Sequence, residues 1–339
     1  MVNSGQHTAT AGESRHTILV TGAELVEEAR ALLTAHGVRA IYADGYATSA
    51  DLAEIARTEA VDGLLVRQGM IDAGVVDASP RLKVIAKHGS GVDNIDLAAA
   101  SARGVPVLRA LAANAQSVAE LAITLSVSLM KDVGRLDAAV KAGEWPKTRY
   151  VGRDLGGAVF GIVGFGEIGR RAAALARGLG MEPMAYDPVA TPGRAADGTL
   201  VVRDLAEVLA HADVVSLHCP LTDETRYLMN AERLARMKRD AFLVNTARGA
   251  VVDEAALAEA LRAGTIAGAA LDSFEEEPPR ADHPLWSLPG VLATPHVAGA
   301  SRSALRNMAV QSATAIIDVL QGRGYDARAC ANEPASRAA

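Results

Sequence analysis

The sequence predicts an α/β protein made of two doubly wound parallel-sheet domains in succession. Short apolar runs rich in β-branched residues alternate with longer segments of helical periodicity between residues 18 and 108, and the same rhythm restarts after Gly156-Gly157. Apolar strands of four or five residues with no polar alternation belong to sheets covered by helices on both faces. At 339 residues the chain also has the length of two ordinary domains.

The elements follow in order. Ile18-Leu19-Val20 reads as the first strand, and Leu25, Ala29, Leu32 and Leu33 form a helical stripe over residues 23–36. Strands are expected at 38–42, 63–66, 82–86 and 105–108, with helices at 49–60 and 94–103 between them. Residues 117–133 form a long apolar helix whose start, Ser117-Val118-Ala119-Glu120, has the S-x-x-E pattern of a capping box. In the second half, strands are expected at 159–163, 182–186, 214–218, 241–245, 266–271 and 291–293. Helices are expected at 167–179, 202–210, 230–236 and 253–263. A last helix over 301–320, carrying Leu305, Met308, Ile316, Ile317 and Leu320, follows the second sheet and is placed to return to the first domain. No period is short enough for a solenoid.

Composition narrows the function. Half the residues are hydrophobic and the net charge is −6, so a basic face for nucleic acid is not expected. No apolar run approaches the ~20 residues of a membrane-spanning helix. Residues 1–15 are polar and lack the apolar stretch of a secretory signal, so a disordered leader and a cytoplasmic location are expected. The two cysteines, Cys219 and Cys330, sit in no Cys/His ligand pattern, so neither a metal site nor a disulfide framework is expected.

Gly164-Phe165-Gly166-Glu167-Ile168-Gly169 is the most informative motif. A glycine triplet alone is weak, but this one follows a strand (Phe160 to Val163) and opens a helix at Glu167 and Ile168. Asp187 ends the next strand-like run, eighteen residues after Gly169. Gly164 permits the tight turn, Gly166 leaves room for a pyrophosphate, and Gly169 lets helix and strand approach. The helix N-terminus offers unpaired N–H groups to phosphate. Asp187 can accept hydrogen bonds from ribose hydroxyls, and its charge opposes a 2′-phosphate, which favours NAD over NADP. Arg194 reads as a solvated loop residue.

Further motifs appear downstream in order: Leu217-His218-Cys219-Pro220-Leu221-Thr222, then Val244-Asn245-Thr246-Ala247-Arg248-Gly249, then Leu271-Asp272-Ser273-Phe274-Glu275-Glu276-Glu277-Pro278, then Thr294-Pro295-His296-Val297-Ala298-Gly299. Upstream stand Lys87-His88-Gly89-Ser90-Gly91-Val92-Asp93-Asn94 and Asn114-Ala115-Gln116-Ser117. Together, over residues 18–322, they resemble the D-isomer-specific 2-hydroxyacid dehydrogenase family, which includes phosphoglycerate dehydrogenases and hydroxypyruvate/glyoxylate reductases. Two departures stand out. Gly157-Ala158-Val159-Phe160 replaces a more usual Gly-Lys/Arg-Thr-Leu, and Leu111-Ala112-Ala113 stands where many members have a Pro-Gly turn.

The resemblance implies an enzyme that uses NAD to interconvert a D-2-hydroxy acid and its 2-keto acid, with D-3-phosphoglycerate and hydroxypyruvate/glyoxylate as the first substrate classes. It implies Arg248, Glu277 and His296 as the catalytic trio: His296 as acid/base, Glu277 fixing its tautomer, and Arg248 pairing with the 2-keto acid through its planar fork. Cofactor contacts fall on Gly164, Gly166, Glu167, Ile168, Gly169, Asp187, Cys219, Pro220, Thr225, Thr246, Asp272 and Gly299. Substrate contacts fall on Arg67, Ser90, Gly91 and Asn114, with Arg248. Each residue has a plainer reading when taken singly: a turn histidine, a surface arginine, a solvated acidic turn at Glu275-Glu276-Glu277, a helix-capping Asn114, a packed thiol at Cys219.

The implied architecture is a discontinuous flavodoxin-like substrate domain, residues 1–112 and 300–325, and a Rossmann NAD-binding domain, residues 113–299, with a cleft between them and disordered tails at 1–15 and 326–339. A homodimer is implied, and feedback through a C-terminal regulatory domain is not expected. The alternative is an NAD(H)-sensing, corepressor-like binding protein on the same fold.

Overall fold

The computed structural model describes residues 15–332 and 334, so most of the expected leader lies outside the described residues. The chain divides into two compact units, one of residues up to Asn114 together with those from Arg302 onward, the other Ala115–Ser301.

The first unit begins β1 (His16–Thr21), α1 (Glu27–Ala35), β2 (Val38–Ala43), α2 (Ser49–Thr58), β3 (Gly63–Val66), α3 (Ala73–Ala78), β4 (Val84–Lys87), α4 (Leu97–Ala102), β5 (Val107–Arg109). Its five strands are parallel in the order β2-β1-β3-β4-β5. β3 shows why the sequence reads as a continuous apolar run. Leu64 and Val66 face one apolar cluster while Leu65 faces the other, all with no exposure. Burying such a leucine contributes about 2 kcal/mol. Side-chain caps set the helix starts: Thr48 and Asp51 close α2 reciprocally, Asp72 closes α3 and Asp96 closes α4.

The second unit contains α5 (Ala115–Met130), α6 (Val133–Lys141), β6 (Val159–Val163), α7 (Glu167–Gly178), β7 (Glu182–Tyr186), β8 (Gly193–Arg194), β9 (Leu200–Val202), α8 (Leu205–His211), β10 (Val214–Leu217), α9 (Ala231–Leu234), β11 (Phe242–Asn245), α10 (Glu254–Arg262), β12 (Gly268–Leu271) and β13 (Val291–Ala293). The sheet order is β13-β12-β11-β10-β6-β7-β9-β8, parallel except for the short β8. Winding reverses at β6 and β10, so the loops leaving these neighbouring strands flank the position where such sheets bind ligands. The chain then returns to the first unit as α11 (Arg302–Leu320), whose Ile316, Ile317 and Leu320 pack with Ile18, Val20 and Leu65.

Three expectations need correction. α5 starts at Ala115, so Ser117-Val118-Ala119-Glu120 is no capping box; the Ser117 hydroxyl donates to the Ala298 carbonyl at 2.6 Å. Residues 202–210 are not all helical, because Val202 ends β9 and α8 starts only after its Asp204 cap. The stretch 326–332, expected to fray, is ordered. A 3-10 turn at Ala327–Ala329 leads to an antiparallel bridge between Cys330 and Leu108. The Asn332 side chain then accepts from the Val107 N–H at 2.8 Å and donates to the Val105 carbonyl at 3.0 Å. This segment satisfies the open backbone edge of β5, which is why it holds its place. Among the described residues no helix is long and apolar enough to cross a membrane, and no group of three or more His, Cys, Asp or Glu could hold a metal ion.

Candidate active site

The glycine turn joins β6 to α7. Gly164 has φ +96°, and a Cβ there would stand 2.7 Å from the Cys219 nitrogen and the His218 carbonyl carbon, so the turn is pressed on the loop leaving β10. A Cβ on Gly169 would stand 2.2 Å from the Gly164 carbonyl oxygen, which makes the close approach of helix to strand a glycine requirement. Gly166 differs: a Cβ there meets nothing within 4 Å. Gly166 is also the N-cap of α7 and supplies no side-chain cap, unlike the residues that close α2, α3, α4, α8, α9 and α10. The first N–H groups of this twelve-residue helix thus receive no side-chain cap from its N-cap residue.

Asp187 follows β7 and is tied to the same turn. Its Oδ2 accepts from the Phe165 N–H at 2.8 Å and its Oδ1 from the Val189 N–H at 3.0 Å. Two bonds leave a carboxylate with spare lone pairs for ribose hydroxyls. The Thr246 hydroxyl, after β11, is buried without a partner among the described residues, another polar group suited to a bound molecule. These features fit a dinucleotide. Glu167 lies exposed on the first turn of α7 and pairs with Arg171 at 3.2 Å, and Ile168 is half-buried beside it. Arg194 is spent within the β8–β9 hairpin, donating to the Gly198 carbonyl at 3.2 Å.

Cys219 and Pro220 lead the loop after β10, and Thr225 closes it by donating to the Pro220 carbonyl at 2.6 Å. Burial pushes the Cys219 thiol up to about 11, so it is an inert packed thiol. His218 is half-buried, and the loss of solvation around its ring pushes it down to about 4, so the ring is neutral at neutral pH; its Nε2 meets the Ser216 hydroxyl at 3.0 Å.

Arg248, Glu277 and His296 all leave the same end of the second sheet. His296 has φ +53°, a left-handed conformation, and its Nδ1 is 2.8 Å from Glu277 Oε2. Glu277 Oε1 accepts from the Phe274 N–H at 3.0 Å, and the Glu277–Pro278 peptide is cis. Burial works to raise the Glu277 carboxyl. The hydrogen bonds from His296 and the Phe274 N–H, with the His296 and Arg248 charges, outweigh it and hold the group below its ordinary value. Arg248 is half-buried and donates to the Ala247 carbonyl at 2.7 Å. Its neighbour Gly249 touches the backbone of the glutamate turn, since a Cβ there would stand 1.9 Å from the Phe274 carbonyl carbon. The arginine and the glutamate are therefore set relative to each other by backbone contact.

Sequence reasoning missed what holds this turn. Asp272, read as a cofactor contact, is 1% exposed and spends its carboxylate on the histidine loop. Oδ1 accepts from the Thr294 hydroxyl at 2.6 Å and the Val297 N–H at 2.9 Å, and Oδ2 from the Ala298 N–H at 2.8 Å. Gly299 follows that anchored loop. Glu275 also has partners, described below.

In the first unit, Arg67 follows β3 and donates to the Ala23 and Glu24 carbonyls; no carboxylate among the described residues pairs with it. Ser90 and Gly91 lie in the loop after β4, and the Ser90 hydroxyl donates to Asn114 Oδ1 at 3.3 Å. His88 stands next to them, pushed down to about 4 by burial and by the positive charges of Arg67 and Lys87. Arg67, Ser90, Gly91 and Asn114 thus belong to one unit, and the trio Arg248, Glu277 and His296 to the other.

Known proteins resemble this chain over most of its length. The chain is 37% identical over 296 residues to D-3-phosphoglycerate dehydrogenase of Archaeoglobus fulgidus, covering 87% of this chain and 56% of that protein. It is 40% identical over 254 residues to hydroxypyruvate reductase of Thermotoga maritima, covering 74% of this chain and 82% of the relative. The crystal structure of the TT0316 protein from Thermus thermophilus superposes with a TM-score of 0.83 at 37% identity, covering 91% of this chain and 98% of that one. The chain spans about half the length of the phosphoglycerate dehydrogenases it matches. Residues 123–298, which include the glycine turn, Asp187 and the whole trio, match the family described as "D-isomer specific 2-hydroxyacid dehydrogenase, NAD binding domain". The chain therefore belongs to the D-isomer specific 2-hydroxyacid dehydrogenase family and carries that family's NAD-binding domain.

Proposed function

We propose that the protein is an NAD-dependent oxidoreductase that interconverts a D-2-hydroxy acid and its 2-keto acid. The single observation that carries this reading is the pair formed by His296 Nδ1 and Glu277 Oε2 at 2.8 Å, set beside Arg248 in the NAD-binding domain of a dehydrogenase family. Gly164, Gly166 and Gly169 with the α7 N-terminus would hold the pyrophosphate and Asp187 the ribose, while Ile168, Cys219, Pro220, Thr225, Thr246 and Gly299 line the remainder. NAD supplies the two-electron chemistry by taking or giving hydride at the substrate's second carbon.

The residues of the chain supply the rest. Glu277 accepts the Nδ1 proton of His296, which leaves Nε2 to give a proton to the carbonyl oxygen in reduction and to take it from the hydroxyl in oxidation. Arg248 polarises the carbonyl and pairs with the carboxylate. Ser90, Gly91 and Asn114 hold the carboxylate. Arg67, a cation with no carboxylate partner among the described residues, takes the anionic distal group, which favours D-3-phosphoglycerate over hydroxypyruvate and glyoxylate.

The test is a panel of 2-keto acids assayed for NADH oxidation, and of D-2-hydroxy acids assayed for NAD reduction, with His296→Ala in parallel. General acid catalysis contributes about 10²- to 10⁴-fold, so kcat of the variant is expected to fall by that order while NAD binding survives. Undiminished turnover would remove His296 from the chemistry, and no turnover on any acid would leave a protein that binds NAD(H) without using it.

We further infer a homodimer. Helix α6 buries none of its side chains, and Val140, Trp145 and Val151 beyond it are 50%, 74% and 92% exposed, an apolar surface suited to a second copy. Light scattering at the monomer mass would refute this.

A further inference from the structure

The acidic turn Glu275-Glu276-Glu277 contains one carboxylate facing His296, but the structure gives a second one equally defined partners. The Glu275 N–H donates to Glu254 Oε1 at 2.9 Å, and the Glu254 N–H donates back to Glu275 Oε1 at 3.3 Å. Two residues twenty-one apart are thus clasped reciprocally, each side chain on the other's backbone. The remaining oxygens are also used: Glu275 Oε2 accepts from the Tyr227 hydroxyl at 3.1 Å, and Glu254 Oε2 lies 2.9 Å from His283 Nε2. His283 Nδ1 accepts from the Leu285 N–H at 3.4 Å, so the ring's own proton sits on Nε2 and points at Glu254. The histidine is itself fixed between Phe274 and Trp286, with ring centroids 6.1 and 4.8 Å away. Glu254 is 8% exposed, whereas Glu275 lies at the surface.

This arrangement stands directly behind the proposed acid/base pair. The clasped Glu275 follows Phe274, whose N–H holds Glu277 Oε1, and Glu277 Oε2 in turn meets His296. We propose that Glu254 and Glu275, backed by His283, are positioning residues that set the Phe274–Glu277 turn and act on the reaction only through Glu277. Tyr227, two residues beyond Thr225, ties the end of the loop after β10 to Glu275 through its hydroxyl. A buried carboxylate is costly unless both its oxygens are hydrogen-bonded, and Glu254 meets that need with the Glu275 N–H and His283, which favours one geometry of the turn.

The inference rests on the proposed dehydrogenase reading, and the experiment separates the two. In the full-length protein, Glu254→Ala is expected to lower kcat about tenfold with the KM for NAD within twofold of the parent. Glu254→Gln, which keeps an acceptor for the Glu275 N–H, should recover most of that loss. In a Glu277→Ala background Glu254→Ala should cost less than a further twofold, because the group it positions is already gone. Should Glu254→Ala not fold, Glu275→Ala at the surface decides the matter by the same cycle. Unchanged kcat in Glu254→Ala and Glu275→Ala, or losses that multiply in full with Glu277→Ala, would overturn the positioning role. Undiminished turnover in Glu277→Ala and His296→Ala would instead remove that pair from the chemistry, and no turnover of any acid by the parent would overturn the dehydrogenase reading.

Discussion

The two sheets of this protein are wound alike but finished differently. Both are parallel through their centres, and in each an inner strand is followed at once by a half-buried histidine, His88 after β4 and His218 after β10. The ends of the second sheet are assembled by backbone on backbone. Added Cβ atoms at Gly164, Gly169 and Gly249 would stand 2.7, 2.2 and 1.9 Å from main-chain atoms of other turns. In the first sheet the nearest neighbours of Gly22, Gly69 and Gly89 would be side-chain atoms, at 3.2, 3.2 and 3.9 Å. Turns pressed backbone on backbone leave little room for substitution, and the carboxylates of Asp272, Glu254 and Glu275 brace them further. The substrate contacts proposed at Arg67, Ser90 and Asn114 would instead rest on side chains that can change one residue at a time, which is where substrate choice would belong.

The sharpest break of this contrast is Gly249→Ala. The new methyl has no room against Phe274, so a stability loss of about 3 kcal/mol or more is expected in urea denaturation, together with loss of turnover. Gly166→Ala is its counterpart within the same sheet, with open space around the Cβ. Stability should stay within about 1 kcal/mol of the parent, while calorimetry shows NAD affinity falling roughly tenfold, about 1.4 kcal/mol. Equal stability losses in both variants would dissolve the distinction between packed and open glycines.

On the first sheet, Arg67→Ala should leave NAD affinity and stability unchanged and raise KM for D-3-phosphoglycerate about tenfold, with a smaller rise for glyoxylate, which has no distal anion. An equal rise for both acids would argue against a distal-anion role. The same variant sharpens the comparison of the histidines. His88 is held down by burial and by Arg67 and Lys87, His218 by burial alone. NMR titration should show His88 moving up toward its ordinary value in Arg67→Ala while His218 stays.

Both histidines also predict the smallest effect, a pH slope. Each binds its proton near 4 in the folded chain and near 6.5 in the unfolded one. The folded state is therefore favoured above 6.5 and loses that advantage as pH falls from 6.5 toward 4. Urea midpoints should decline across that window, and less steeply in His218→Gln. A flat profile would show that neither ring is held neutral.

Much of this was readable from sequence, and the failures share a cause. The strand, glycine turn, helix and Asp187 were legible because their constraints act within about twenty-five residues. The β5 edge segment was not, because Asn332 is anchored to Val107, 225 residues away. Glu275 reads as one of three solvated acids until Glu254 and Tyr227, 21 and 48 residues distant, come to it. Asp272 reads as a cofactor contact within its motif, while its partners Thr294, Val297 and Ala298 lie beyond any local pattern. The start of α5 went wrong for the opposite reason. Ser117 and Glu120 have the right local spacing for a cap, but the hydroxyl is drawn off to Ala298.

The return of α11 bears on how the chain is made. Ile316, Ile317 and Leu320 complete the apolar face over Ile18, Val20 and Leu65 that Ala29 and Leu33 of α1 cover only in part, so that face of the first sheet stays incomplete until residue 320 has left the ribosome. At 5–20 residues per second, that is roughly ten seconds or more after the emergence of β3. The second unit, contiguous over Ala115–Ser301, has no such wait. The half encoded first is thus the half finished last, and a nascent chain stalled just after residue 301 has left the ribosome should present a folded NAD-binding unit beside a first sheet still partly open to chaperones.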